Sequence, residues 1–130
     1  KNKKINLHGG GISKRNFIHI DDVSSATFKV MTSGKNGECY HISGNSMISI
    51  RSLVEKICKK MNYNFKSLVK FSNERKGKDK TYILSSKKIQ TQLKWKQKIT
   101  LDKGLARCIE WLKKNVNSFN NKDLEYKHKK

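Results

Sequence analysis

Residues 9–15 read Gly-Gly-Gly-Ile-Ser-Lys-Arg and invite a test for phosphate chemistry, because glycine-rich loops turn backbone N–H groups toward phosphates. A dinucleotide fingerprint needs Gly-x-Gly-x-x-Gly directly after a strand and opening a helix. Here the glycines precede a β-rich run and no further glycine follows at the required spacing. The run is therefore neither a Rossmann nor a P-loop signature. A Tyr-x-x-x-Lys pair, in which lysine lowers the tyrosine pKa, occurs as Tyr126 and Lys130 in the polar terminus, where nothing fixes the geometry catalysis needs. His8, His19, His41 and His128 are scattered, and even with Cys39 they do not supply the four well-spaced ligands of a structural zinc. No metal site and no nucleophile–base pair is expected.

Two further groups carry charge. Asp21 and Asp22 are adjacent carboxylates that sit where an N-cap and a first-turn acid belong, which accounts for them better than acid–base catalysis. The stretch Asn-Glu-Arg-Lys-Gly-Lys-Asp-Lys, 73–80, sets Arg75, Lys76, Lys78 and Lys80 around Gly77. Such a loop can wrap a phosphate, with arginine as a bidentate fork. On the residues alone a solvated charge run is the simpler account, and the lack of interleaved aromatics argues against a single-strand nucleic-acid platform.

The elements that must position these residues can be read from periodicity. Residues 15–20 alternate and predict a strand, followed by a helix carrying Val23, Ala26, Val30 and Met31. A turn at 33–38 leads to a second short strand at 39–43. Ser49 opens the clearest helix, with Ile50, Leu53, Val54, Ile57, Cys58 and Met61 on one stripe. Strands are predicted at 67–72 and 81–84. Ser85 or Ser86 caps a short helix with Ile89 and Leu93, and Thr100 caps a last one with Leu101, Leu105, Cys108, Ile109 and Leu112 on one face. From 117 to 130 the pattern dissolves into a polar, disordered tail. The fold class is α/β, with short strands and four helices.

The 130 residues fit one domain or a piece of one, and a 35% hydrophobic share with mean hydropathy −0.80 permits only a thin core. The formal charge of +20 comes from 30 basic and 10 acidic residues, with Arg15, Arg51, Arg75 and Arg107 the only arginines. Abundant Lys, Asn and Ile without Pro is the usage of an AT-rich genome, which accounts for the excess without a polyanion partner. A non-catalytic nucleic-acid-binding module rests on charge alone, and steep salt dependence would mark it. Cys39, Cys58 and Cys108 form no CxxC pair and read as buried thiols of a reducing, cytoplasmic protein. No run has the length of a membrane span or the form of a signal peptide.

The order of motifs, "GGGISKRNFIHIDDV", "GECYHISGN", "ISIRSLVEKI", "ERKGKDKTYILSSKKI" and "LKWKQKITLDKGLARCIEWLKKN", resembles the C-terminal part of the NAD-dependent nucleotide-sugar epimerases and dehydratases. These are extended short-chain dehydrogenases, and the likeness is greatest to the dTDP-glucose 4,6-dehydratase branch. It covers about residues 6–115. It implies that 1–116 form a nucleotide-sugar-binding segment lacking the Rossmann dinucleotide-binding part. In the whole enzyme of that family, NAD oxidises the sugar at C4, water leaves across C5–C6, and hydride returns to C6.

By matching position, the resemblance implies that Arg15 contacts the diphosphate. Arg75, with Lys78 in the same loop, reaches the nucleotide phosphates and ribose. Leu7 and His8 lie beside the base, and Ser49 is a polar contact. Catalytic residues are expected elsewhere, so the segment alone should not catalyse. The implied partners are a nucleotide-diphosphate sugar, the N-terminal Rossmann part of the same enzyme and a second copy in a homodimer; epimerase, reductase or decarboxylase activity is the alternative within the superfamily. The chain, which begins without Met, is expected to be a fragment or a split subunit. It departs from the family pattern at His41 for Asn, Ser43 for Gly, Lys76 and Lys78 for Pro and His, and Lys94 for the glycine of Leu-Gly-Trp.

Overall fold

A computed structural model describes residues 4–74, 77 and 79–119. It is a mixed α/β arrangement of short strands and helices, as the sequence predicts. Among the described residues, five strands, β1 (Ile5–His8), β2 (Lys14–Asn16), β3 (Met47–Ser49), β4 (Val69–Ser72) and β5 (Thr81–Tyr82), form two sheets. β1 pairs with β4 in parallel from Ile5↔Val69 to His8↔Ser72. β2 lies between β3, antiparallel, and β5, parallel.

The helices are α1 (Ile20–Ser33), α2 (Ile50–Lys60), α3 (Phe65–Leu68), α4 (Lys87–Gln92) and α5 (Leu101–Asn115). Their ends follow from local chemistry. The Ser49 hydroxyl accepts from Ser52 N at 3.0 Å to open α2, and Thr100 Oγ1 accepts from Lys103 N to open α5. Lys59 and Lys60 close α2, and Lys113 and Lys114 close α5, where cations meet the negative end of the helix dipole. Asp21 and Asp22 lie in the first turn of α1, but the cap before them is His19, whose Nδ1 accepts from Asp21 N.

The core is Ala26, Ile89, Leu93 and Trp95, with Ile18, Val30, Tyr40 and Ile42 packed around it. Asp22 enters this interior at 2% exposure. Its carboxylate accepts from Lys98 N and Ile99 N, each at 2.9 Å. Trp95 Nε1 donates to Ser25 Oγ at 3.0 Å. One turn of α1 thus holds the segment between α4 and α5 by three bonds.

Several expectations change. The strand predicted at 15–20 ends at Asn16, because the chain must leave the sheet before Ile20 begins α1 and brings Asp22 to its partners. Residues 39–43 form no strand among the described residues; backbone groups at Cys39 and Ser43 are bound by side chains of Lys88 and Ser86 instead. The strand predicted at 67–72 begins only at Val69, since Asn64 accepts from Lys66 N and Ser67 N and turns 65–68 into a fifth helix. The strand predicted at 81–84 stops at Tyr82. Cys58 is buried as expected, but Cys39 and Cys108 are exposed. In the predicted tail, Val116–Phe119 is a 3-10 turn with Phe119 edge-on to Trp111 at 6.0 Å. Residues 120–130 lie outside the described residues. No helix among the described residues is long and apolar enough to cross a membrane.

Candidate functional site

Because β1 and β4 are parallel, both reach the same end of their sheet, at His8 and Ser72. From there two links, 9–13 and 73–80, carry the chain to a second parallel pair, where Lys14 faces Thr81. Lys14 N donates to Lys80 O at 2.9 Å, and Ile50 N to Ser13 O at 3.0 Å, which ties Lys80 to β2 and Ser13 to the start of α2.

The glycine run forms the first link. Gly9 and Gly11 have φ of +55° and +67°, which side-chain-bearing residues rarely adopt. A Cβ on Gly9 would run into the Glu74 side chain, so the two links meet there. A Cβ on Gly11 would lie 2.8 Å from Leu7 Cδ2 and 2.9 Å from Arg51 N. The glycines thus allow one link to press against the other and against α2.

Arg15 comes next along β2. One guanidinium nitrogen donates to Lys14 O at 2.7 Å and the other to Asp79 O at 2.8 Å. The side chain therefore reaches from β2 to the backbone of the second link. Both acceptors are neutral carbonyls, and no carboxylate pairs with Arg15 among the described residues. His8 Nδ1 lies 3.2 Å from Asn73 O and 3.0 Å from Ser72 Oγ. A carbonyl only accepts, so the Asn73 contact calls for a proton on Nδ1.

The other predicted site residues divide. Leu7 is buried beneath Gly11, so its side chain is a packing group. Ser49 pairs with Lys14 across β3–β2, beside Arg15, but its hydroxyl is engaged as the cap of α2 and lies 2.8 Å from Ser52 Oγ. Arg75 and Lys78 lie outside the described residues; their flanks Glu74, Gly77 and Asp79 belong to the link that Arg15 touches. The strand pairing thus sets Arg15 and Ser49 on neighbouring strands of one sheet, and Leu7 and His8 at the end of a strand of the other.

Two features escaped the sequence reading. Arg51 lies over the rings of both Phe65 and Phe71, at 5.8 and 5.6 Å, while its Nε donates to Glu55 at 2.9 Å. The Asp79 carbonyl that orients Arg15 is 64 residues away in sequence, and no local spacing announces it. No cluster of His, Cys, Asp or Glu among the described residues could hold a metal ion. A cleft of about 740 Å³ lies elsewhere, between the start of α1 and α5, lined by Ile20, Arg107, Cys108, Glu110, Trp111 and Leu112 among others.

Comparison with known proteins bears on the family and the fold. The chain matches the model of the GDP-mannose 4,6 dehydratase family over residues 1–108. It is 33% identical over 125 residues to dTDP-D-glucose 4,6-dehydratase of Mus musculus, covering 92% of this chain and 35% of that protein. For the Shigella flexneri dTDP-glucose 4,6-dehydratase the figures are 28% over 122 residues, 88% and 34%. Among solved structures, the dTDP-glucose 4,6-dehydratase of Bacillus anthracis in complex with NAD superposes with a TM-score of 0.82 at 30% identity, covering 88% of this chain and 36% of that one. DesIV from Streptomyces venezuelae, a dTDP-glucose 4,6-dehydratase with NAD and TYD bound, gives 0.86 at 29% identity, 91% and 36%. The chain spans about a third of the length of the relatives it matches. It belongs to the GDP-mannose 4,6 dehydratase family of short-chain-dehydrogenase-type dehydratases, and its fold is that of the part of those enzymes it covers.

Proposed function

We propose that this chain is the nucleotide-sugar-binding part of an NAD-dependent dTDP-glucose 4,6-dehydratase, and that it anchors the nucleoside diphosphate of the donor. The observation that carries the reading is the state of Arg15. Its guanidinium is oriented by two carbonyls and neutralised by no described carboxylate, so its charge is free for an outside anion. The family resemblance brings Arg75 and Lys78 into the same proposal, and Asp79, whose carbonyl Arg15 holds, is their described neighbour in sequence. His8 contributes a ring nitrogen at the end of β1, and Ser49 frames the site as a cap.

The solved relatives from B. anthracis and S. venezuelae hold NAD, and the enzyme proposed here uses it too. The described residues do not fit that cofactor: the glycine run leads into β2 rather than a helix, and its close approaches are filled by Glu74 and Arg51. NAD and the reacting groups therefore belong to the rest of the enzyme. This chain contributes position, holding the sugar where the chemistry occurs. The free thiols of Cys39, Cys58 and Cys108 fit a reducing cytoplasm.

Calorimetric titration of the full enzyme tests the reading. A nucleoside diphosphate should bind saturably and much more tightly than the same nucleoside without phosphates. Binding to DNA that weakens steeply with salt, with no preference for the diphosphate, would replace the clamp by the charge-driven reading.

A further inference from the structure

Arg15 can present its charge in one place only if the strand that carries it is fixed. β2 is three residues long, and its last residue is held unevenly. Thr81 and Tyr82 of β5 pair with Lys14 and Arg15, whereas Asn16 has a strand partner on the β3 side alone, Met47. The chain then leaves the sheet for α1, so the β5 side of this end has no ladder to secure it among the described residues.

The Asn16 side chain closes that end. Successive side chains alternate across a strand, so it lies on the face opposite Arg15. Its Nδ2 donates to Gly44 O at 2.7 Å, across 28 residues of sequence. Its Oδ1 is buried and accepts from no group among the described residues, so the donor is the half of the amide that this fold uses. The bond also sets the amide's orientation, because turning it over would place Oδ1 against the Gly44 carbonyl, acceptor against acceptor.

Gly44 is a firm anchor. A Cβ on it would run into Phe17 O, so the turn crosses directly over the residue that follows Asn16. Its neighbours are tied by long-range bonds. Ser86 Oγ accepts from Ser43 N at 2.7 Å and donates to Ser43 O at 3.1 Å, and Gln97 Oε1 accepts from Asn45 N at 2.8 Å.

We infer that Asn16 is a positioning residue for the donor's diphosphate: by tying β2 to Gly44 it holds Arg15 in place, acting from the opposite face of the strand. The inference rests on reading Arg15 as the phosphate anchor. The direction of that guanidinium is set by Lys14 O and Asp79 O, at 2.7 and 2.8 Å, and its origin is set by β2. A strand end that drifts displaces the guanidinium from the anion, and a directional charge-assisted contact weakens with small misplacement.

A double-mutant cycle on the full enzyme tests it, with calorimetry of nucleoside diphosphate binding to wild type, Asn16→Ala, Arg15→Ala and the double variant. Asn16→Ala should weaken diphosphate binding roughly tenfold, while affinity for the same nucleoside without phosphates stays within about twofold. In the Arg15→Ala background the same substitution should change diphosphate affinity by less than about twofold, because the group it positions is gone. Equal losses in both backgrounds, or equal losses for diphosphate and nucleoside, would overturn the inference, as would unchanged affinity in Asn16→Ala. If Asn16→Ala does not fold, Asn16→Ser, polar but too short to reach Gly44 O in the same way, takes its place with the same expectations. Wild-type affinity in Arg15→Ala would instead remove the clamp itself, and the cycle reads that result from a variant in which Asn16 is intact.

Discussion

Replacing Asp22 with alanine removes the acceptor that ties residues 98 and 99 to α1. The carboxylate is 2% exposed and receives N–H bonds from Lys98 and Ile99 at 2.9 Å each. A hydrogen bond to a charged group contributes about 1.5–3 kcal/mol, and the Ile99 N–H left behind would be buried without that partner. Because the bonds share one carboxylate they are not fully additive, so the combined loss is about 3–5 kcal/mol. At 1.4 kcal/mol per tenfold, that raises the opening equilibrium of the segment by roughly 100- to 3,000-fold. Hydrogen exchange by mass spectrometry on peptides spanning 95–100 in the full enzyme reads this directly. Asp22→Asn keeps one acceptor oxygen and should fall between wild type and alanine. A change below tenfold for Asp22→Ala would refute the idea that this carboxylate fastens the segment.

The other expectations concern the backbone and the surface. Lys94 has φ +55°, where the family pattern carries glycine, so Lys94→Gly should stabilise by about 1 kcal/mol while Lys94→Ala gives little; equal gains in thermal midpoint would exclude backbone strain as the cause. Gly11→Ala should cost more than about 2 kcal/mol, against about 1 for Gly37→Ala, because the first Cβ meets Leu7 and Arg51 N while the second meets nothing within 4 Å; equal costs in denaturant titration would remove the packing argument. The hydrogen bond from Lys88 holds the Glu38 carboxyl below its ordinary value and raises the Lys88 ammonium. The carboxylate's contribution is full above its unfolded pKa and lost as pH falls through the lowered one, while that of Lys88 is lost as pH rises through its raised value. The stability difference between wild type and Lys88→Met should therefore shrink at both extremes, and a flat difference would contradict the pairing.

What could be read from sequence follows the range of the forces involved. α2 and α5 were legible because an apolar stripe and a hydroxyl cap lie within a few residues of each other, at Ser49 and Thr100. β1 and β3 were missed: four and three residues are too short for alternation to register, and their pairings lie with Val69–Ser72 and Lys14–Asn16. The overrun of the strand beyond Asn16 has the same origin, since the demand that ends it is Asp22 reaching residues 98 and 99. At the site, the residues alone pointed to the loop around Arg75, and only the resemblance implied a phosphate contact for Arg15. The Asp79 carbonyl that orients it arises only when β2 and β5 align. The aspartate pair marks the first turn of α1 as read, but His19 and not an aspartate is the cap, and the role of Asp22 as a clamp has no local signal.

The central claim is that Arg15 anchors the donor's diphosphate. Calorimetry of nucleotide-sugar binding to the full enzyme, wild type against Arg15→Ala, is its most direct test. Losing a charge-assisted contact of about 1.5–3 kcal/mol should weaken binding by roughly 10- to 150-fold, with Arg15→Lys recovering only part of it. Unchanged affinity in the folded Arg15→Ala enzyme would contradict the account.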